Sequence, residues 1–326
     1  MTNRVTTTLV TIVAIAFLVS CVRAKRPVLQ PTAVPQAGTL WTEPTDLERR
    51  DLFNGPWGTR YAPDPQAVYT LVERKHDGVN PGVTVRDPEG REWSVKQSHP
   101  GGLDVEGQVE VTLSRLLSAV GYHQPPVYYL PAFTMKTELG ESIEIGGRFR
   151  PKLEILDDAG PWQWEDTPFV GTKPYQGLLV LLMMFNSTDL KNSNNSIYEH
   201  RTGDLVERRY VVRDLGAALG DTHRLAPRKN HPDSFDRHGF IAGVKGGFVD
   251  FAYQGWYQKF VRDRITPDEV AWASNLLGRL SDRQWRDAFR AGGYDAETAE
   301  RFIRKLQEKI AQGRAVGRQA AATANR

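Results

Sequence analysis

Eight consecutive apolar residues, Leu178 to Phe185, lie inside the segment 175–186. A helix built on such a run has no polar face to turn toward water, so other elements must wrap it on every side. That demand excludes a small or extended chain and requires a deep core in the carboxy-terminal half. The composition can supply it: of 326 residues, 40% are hydrophobic and 25% charged, enough for two lobes around a shared cleft. The formal charge is only +3, with 42 basic against 39 acidic residues, so no nucleic-acid partner is expected. Any anionic ligand must be recognised by local groups.

A second apolar run, Leu9 to Ser20, follows Arg4 and is too short to span a membrane comfortably, so residues 1–20 read as a signal peptide. It ends in Leu18-Val19-Ser20-Cys21, which resembles the bacterial lipobox, and Cys21 is the only cysteine of the chain. The thiol would then carry a diacylglyceryl group, giving a lipid anchor in the membrane. The competing reading is a short uncleaved anchor. Val22 stands where an aspartate would favour retention at the inner membrane, which points to the outer membrane of a bacterial cell envelope. Residues 21–46 carry Pro27, Pro31, Pro35 and Pro44 and read as an extended tether. With no second cysteine there is no intrachain disulfide, so the mature fold rests on its core.

Turn-punctuated strands are expected over 67–73, 83–86 and 92–96, the last two joined by Pro88-Glu89-Gly90-Arg91. From 106 to 121 the period changes to that of a helix, with Val109, Leu113, Leu116, Leu117 and Val120 on one face and Gly121 as its stop. Strands follow over 127–133 and 142–148. Residues 47–168 therefore form a small β-rich lobe with one main helix, and 161–174 a connector. Residues 169–313 form a mainly helical lobe, in which Thr266-Pro267-Asp268-Glu269 and Ser281-Asp282-Arg283-Gln284 are capping boxes. A last amphipathic helix is expected over 296–311, with 314–326 a disordered tail. The fold class is α+β.

Two clusters carry the chemistry. Directly after the buried helix comes Asp189-Leu190-Lys191-Asn192-Ser193-Asn194, and about two dozen residues on comes Val211-Val212-Arg213-Asp214-Leu215-Gly216. Phosphoryl transfer needs an acid to orient the acceptor hydroxyl, cations on the phosphates and oxygen ligands for a divalent metal. Asp189 fits the first role and Lys191 the second, while Asn194 offers an oxygen to Mg²⁺ or Mn²⁺; Asn192 and Asn195 compete for that place. Alone, such a pattern is a weak signal, since polar Asx-rich loops arise readily after helices. Asp214 follows a β-branched run, so it sits at a strand end, and Gly216 permits a sharp turn that aims its carboxylate inward. The interval contains a plausible hairpin that would lay the two clusters side by side. Upstream, Lys96 ends a strand, and Glu110 borders the apolar face of the next helix, where it could pair with Lys96; Glu106 competes. Gly78 and Gly82 offer a loose phosphate-covering loop.

Together these residues resemble the protein-kinase-like superfamily over 71–219, closer to HipA-type, spore-coat and secretory-pathway kinases than to ordinary eukaryotic enzymes. The stretch 110–122 with Pro125-Pro126 also looks like an uncharacterised bacterial envelope lipoprotein family of kinase-like layout. The resemblance implies a two-lobed protein-kinase-like fold with ATP and Mg²⁺ or Mn²⁺ in the cleft. It assigns catalysis to Asp189 and Lys191, nucleotide binding to Lys96, Glu110, Gly78 and Gly82, and metal to Asn194 and Asp214. The expected activity is a membrane-tethered, extracytoplasmic ATP-dependent phosphotransferase acting on a hydroxyl of protein, glycan or small molecule; the alternative is an inactive scaffold lipoprotein of the same fold. Three departures stand out: Asn186-Ser187-Thr188 replaces the usual His-Arg, Leu215 replaces Phe, and no Ala-Pro-Glu segment follows. In its place, 221–238 is a polar insert with Arg224, Arg228, Lys229 and Arg237. Its His223, His231 and His238 are spaced too widely, and too far from any cysteine, to favour zinc.

Overall fold

Among the described residues, the amino-terminal half contains β1 (Val68–Lys75), β2 (Gly82–Arg86), β3 (Glu92–Gln97), α1 (Val105–Ala119), β4 (Tyr128–Thr137) and β5 (Gly140–Pro151). The computed structural model describes residues 38–75, 82–97, 105–223, 225 and 227–324; the signal segment, Cys21 and Gly78 lie outside these. The strands close into a barrel in the order β1-β2-β3-β5-β4, antiparallel throughout except for the β1–β4 seam. Alternation puts Tyr69, Val83, Val85, Trp93, Val95, Phe133, Met135 and Phe149 inside. Gly147 makes this packing possible, since a Cβ there would stand 2.9 and 3.0 Å from the Phe149 and Phe133 rings.

The carboxy-terminal half contains β6 (Leu156–Asp158), α2 (Lys173–Met184), β7 (Asn195–Thr202), β8 (Leu205–Val212), α3 (Pro232–Arg237), β9 (Ile241–Lys245), β10 (Phe248–Phe251), α4 (Pro267–Leu277), α5 (Asp282–Ala291) and α6 (Ala296–Ala324). The chain is thus α+β, with a β-rich first half and a mainly helical second half. Every residue of α2 from Tyr175 to Met184 is buried, as its sequence required. Each fully buried Leu or Met contributes roughly 1.5–3 kcal/mol relative to exposure. Both capping boxes form, Thr266 with Glu269 and Ser281 with Gln284.

Two expectations change, and two further features were not foreseen. Residues 38–46 are not tether: Leu40 is buried, the Trp41 indole donates to the Val120 carbonyl at 2.7 Å, and the Thr39 amide donates to Arg208 O at 2.8 Å. The prolines had masked two large apolar side chains that the end of α1 needs as cover. The tail after Gly313 is helical to Ala324. Gly313 and Gly317 are points of close approach rather than stops, since a Cβ on either would lie within 2.3 Å of Ser274 Oγ or Ala271 Cβ of α4. The hairpin β9–β10 was not foreseen. Finally, α1 does not share the barrel's core: Val109, Leu113, Leu116 and Leu117 belong to the larger core built around α2, α4, α5 and α6.

Candidate active site

The β7–β8 hairpin joins the two clusters. Its first pair is Asn195 with Val212, and just outside it the Arg213 amide donates to Asn194 O at 2.9 Å. Asn194 therefore sits immediately before β7, paired with Arg213, the residue that precedes Asp214 just past the end of β8. Asn194 is 8% exposed and donates through Nδ2 to the Asp189 carbonyl at 2.7 Å, which leaves its Oδ1 as the oxygen able to ligate a cation. Of its competitors, Asn192 Oδ1 accepts from the Trp164 amide, while Asn195 donates to Trp162 O and keeps an unpaired Oδ1 that is fully buried, where Asn194 retains some exposure. Asp189 reaches Lys191 Nζ at 3.1 Å, and that hydrogen bond is the main reason the ammonium titrates above its ordinary range. The Asp214 charge raises the Lys191 pKa slightly further.

Asp214 itself takes the left-handed backbone, φ +58°. This corrects the role read for Gly216, which needs no positive φ. Gly216 is small because α1 passes over it: a Cβ would stand 2.7 Å from Glu106 Cβ and 2.9 Å from Glu106 O. Leu215 is buried in the larger core and pins the turn.

Lys96 sits between three carboxylates. Its Nζ is 2.6 Å from Asp214 Oδ1, 3.1 Å from Glu106 Oε2 and 3.7 Å from Glu110 Oε2. Burial disfavours its charge, but Glu110 and Asp214 outweigh this and raise its pKa. Asp214 answers in kind: burial pushes its carboxyl up, and the Lys96 charge and hydrogen bond bring it below the usual range. Glu106 follows the same pattern, held down by Lys96 and Lys229 against burial.

On α1 the hydrogen-bonded partner of Lys96 is Glu106 rather than Glu110. Glu110 is 2% exposed and is taken by Arg150 at 2.9 Å and Arg148 at 3.2 Å. Sequence reading missed both arginines, although the ladder register sets Arg148 directly opposite Lys96. It also missed the docking of the 221–238 insert. Lys229 Nζ pairs with Glu106 Oε1 at 2.5 Å, and Asn230 donates to Gln108 Oε1 while accepting from the Tyr294 hydroxyl. The insert's histidines act separately: His223 bonds Gln254, His231 caps α3 and His238 bonds Thr222. Gly82 opens β2 opposite Lys96, and a Cβ there would make only ordinary contact, 3.5 Å from Lys75.

A continuous run of charged contacts thus links Lys229, Glu106, Lys96 and Asp214, and Asn194 beside the end of that run carries the connection to Asp189 and Lys191. The oxygens of Asp214 and Asn194 are hard donors of the kind Mg²⁺ and Mn²⁺ take. The cations Lys96 and Lys191 suit phosphate oxygens.

No family model matches the chain, and no curated protein matches it. Among solved structures, the chain is similar to the Helicobacter pylori proinflammatory kinase CtkA, at 10% identity and a TM-score of 0.43, covering 78% of this chain and 99% of that one. It is also similar to the Rio2 kinase of Chaetomium thermophilum, solved as an ADP/Mg²⁺-phosphoaspartate complex, at 14% identity and a TM-score of 0.34, covering 76% of this chain and 72% of the other.

Proposed function

We propose that the protein is a kinase-like phosphotransferase, tethered through Cys21 to the bacterial cell envelope, that moves the γ-phosphoryl group of ATP to a hydroxyl acceptor. The supporting observation is that the ion pair Lys96–Asp214 and the ion pair Lys191–Asp189 are joined through Asn194, which donates to Asp189 O and accepts from the Arg213 amide next to Asp214. In this reading Lys96 binds the inner phosphates and Lys191 balances charge developing on the transferred group. Asp189 orients the acceptor hydroxyl and receives its proton. Asp214 and Asn194 would hold the divalent ion, which supplies charge stabilisation at the phosphates.

Lys96 takes Oδ1 of Asp214, which leaves Oδ2 for the ion. Thermal denaturation with ATP and Mg²⁺ or Mn²⁺ tests this: the midpoint rises for the wild type and not for Asp214→Asn. An equal rise in both sinks the metal assignment. Transfer of labelled γ-phosphate that survives Asp189→Ala removes that residue from its role.

One observation favours a second reading, an inactive scaffold of the same layout. Glu110 is shared, closer to Arg150 and Arg148 at 2.9 and 3.2 Å than to Lys96 at 3.7 Å. Under that reading nucleotide binds without turnover, and the same assays separate the two.

A further inference from the structure

We propose that Lys309 is a positioning residue for Asp189, acting through Asn186; the proposal rests on the phosphotransferase reading above. Lys309 projects from α6 and has no solvent exposure. Its Nζ donates to Met184 O and to Asn186 Oδ1, both at 2.9 Å, and stands 4.1 Å from the centre of the Phe235 ring. Among the described residues no carboxylate pairs with it, and burial drives its pKa well below the ordinary lysine value. An amine buried against neutral oxygens costs stability, so its place calls for an explanation beyond packing.

The two oxygens it holds supply one. Met184 O belongs to the last turn of α2, where carbonyls lack intrahelical partners and the helix dipole is negative. Asn186 lies between that turn and Asp189, has a left-handed backbone at φ +56°, and is 1% exposed. Its Oδ1 accepts from Lys309 and its Nδ2 donates to Gly220 O at 2.6 Å, so the amide is committed at both ends.

Gly220 lies on the chain that leaves Asp214. Two further rungs join the same segments: Thr188 N to Ala217 O at 2.8 Å and Leu219 N to Phe185 O at 2.9 Å. Lys309 is therefore the fixed post of a clamp, with Asn186 as its crosspiece. The clamp sets the spacing between the loop that carries Asp189 and the segment that carries Asp214. The ring of Phe235, in the helix of the 221–238 insert, closes the pocket around the amine.

The test uses the full chain with Lys309→Met, Asn186→Ala and the double variant. If the amine positions the loop, Lys309→Met lowers kcat per folded molecule by at least about 10-fold, while the affinity for ATP with Mg²⁺ stays within about 3-fold, because misplacement weighs on the reacting geometry more than on binding. Asn186→Ala has a similar effect, and the double variant is no worse than Asn186→Ala alone. Amide hydrogen exchange rises across 186–194 and 215–220. Wild-type kcat in Lys309→Met, or faster exchange confined to α6, overturns the proposal. Should Lys309→Met fail to fold, Asn186→Ala carries the same readouts, since the amine keeps its Met184 carbonyl. If the wild type transfers no phosphate, the phosphotransferase reading falls, and hydrogen exchange still decides whether the clamp exists.

Discussion

Replacing Gly216 with alanine adds one carbon at a place where α1 leaves no room for it. The new Cβ would stand 2.7 Å from Glu106 Cβ, 2.9 Å from Glu106 O and 3.1 Å from Glu106 Cα, where ordinary contact begins near 3.4 Å. Two of these atoms are backbone and cannot swing aside, so the first turn of α1 or the 214–218 segment must retreat by roughly half an ångström or more, an overpacking cost of about 1–3 kcal/mol. If α1 retreats, the 3.1 Å bond from Lys96 to Glu106 stretches past useful hydrogen-bond length, and if the 214–218 segment retreats, the 2.6 Å bond from Lys96 to Asp214 lengthens instead. We therefore expect a lower urea midpoint at unchanged slope, a fall in Tm of roughly 2–4 °C per kcal/mol lost, and weaker stabilisation by ATP and Mg²⁺. Gly243→Ala is the control, because a Cβ there meets nothing within 4 Å. If the two variants match in stability and nucleotide response, close approach is the wrong account of Gly216.

Burial holds His123 down to about 4, so between pH 6.5 and about 4 the unfolded chain takes up a proton that the folded one refuses. Stability is complete above that window and declines by up to about 3 kcal/mol as pH falls through it; urea titrations at pH 7 and 4.5 should show a smaller decline in His123→Asn. Deleting 314–326 removes buried Val316 and the Arg314 hydrogen bond to Asn275, and should cost about 1–3 kcal/mol in urea; a truncated chain as stable as the full one would mean the end of α6 holds nothing. Cys21→Ala should release the mature protein from the membrane fraction, and continued partitioning after signal cleavage would refute lipidation.

Much of the layout was legible because it follows from local pattern. The all-apolar run of α2 had to be buried, the capping boxes marked α4 and α5, and the β-branched run before Asp214 put that residue at a strand end. The hairpin between the two clusters could be read from its turn. What escaped notice depends on contacts far apart in sequence. Nothing local distinguishes Glu106 from Glu110, because their order of approach to Lys96 is decided by Arg148 and Arg150 on a strand that comes forty residues later. Lys309 looks like any lysine on an amphipathic helix until α2 and Phe235 close around it. Gly216 and Gly313 carry the usual signal of a turn or stop, yet both are small because a helix passes over them.

The separation of the two cores bears on how the cleft can open. Because α1 is fastened by its leucines to the helical half, tilting the barrel would leave the helix behind. Such a motion would part Lys96 from Glu106 while the tie from Glu106 to Lys229 stayed whole. Glu110, by contrast, is moored to the barrel through Arg148 and Arg150, so one face of the same helix carries both the hinge and the latch. Opening would be gated by two buried guanidinium groups that must give up a carboxylate they share.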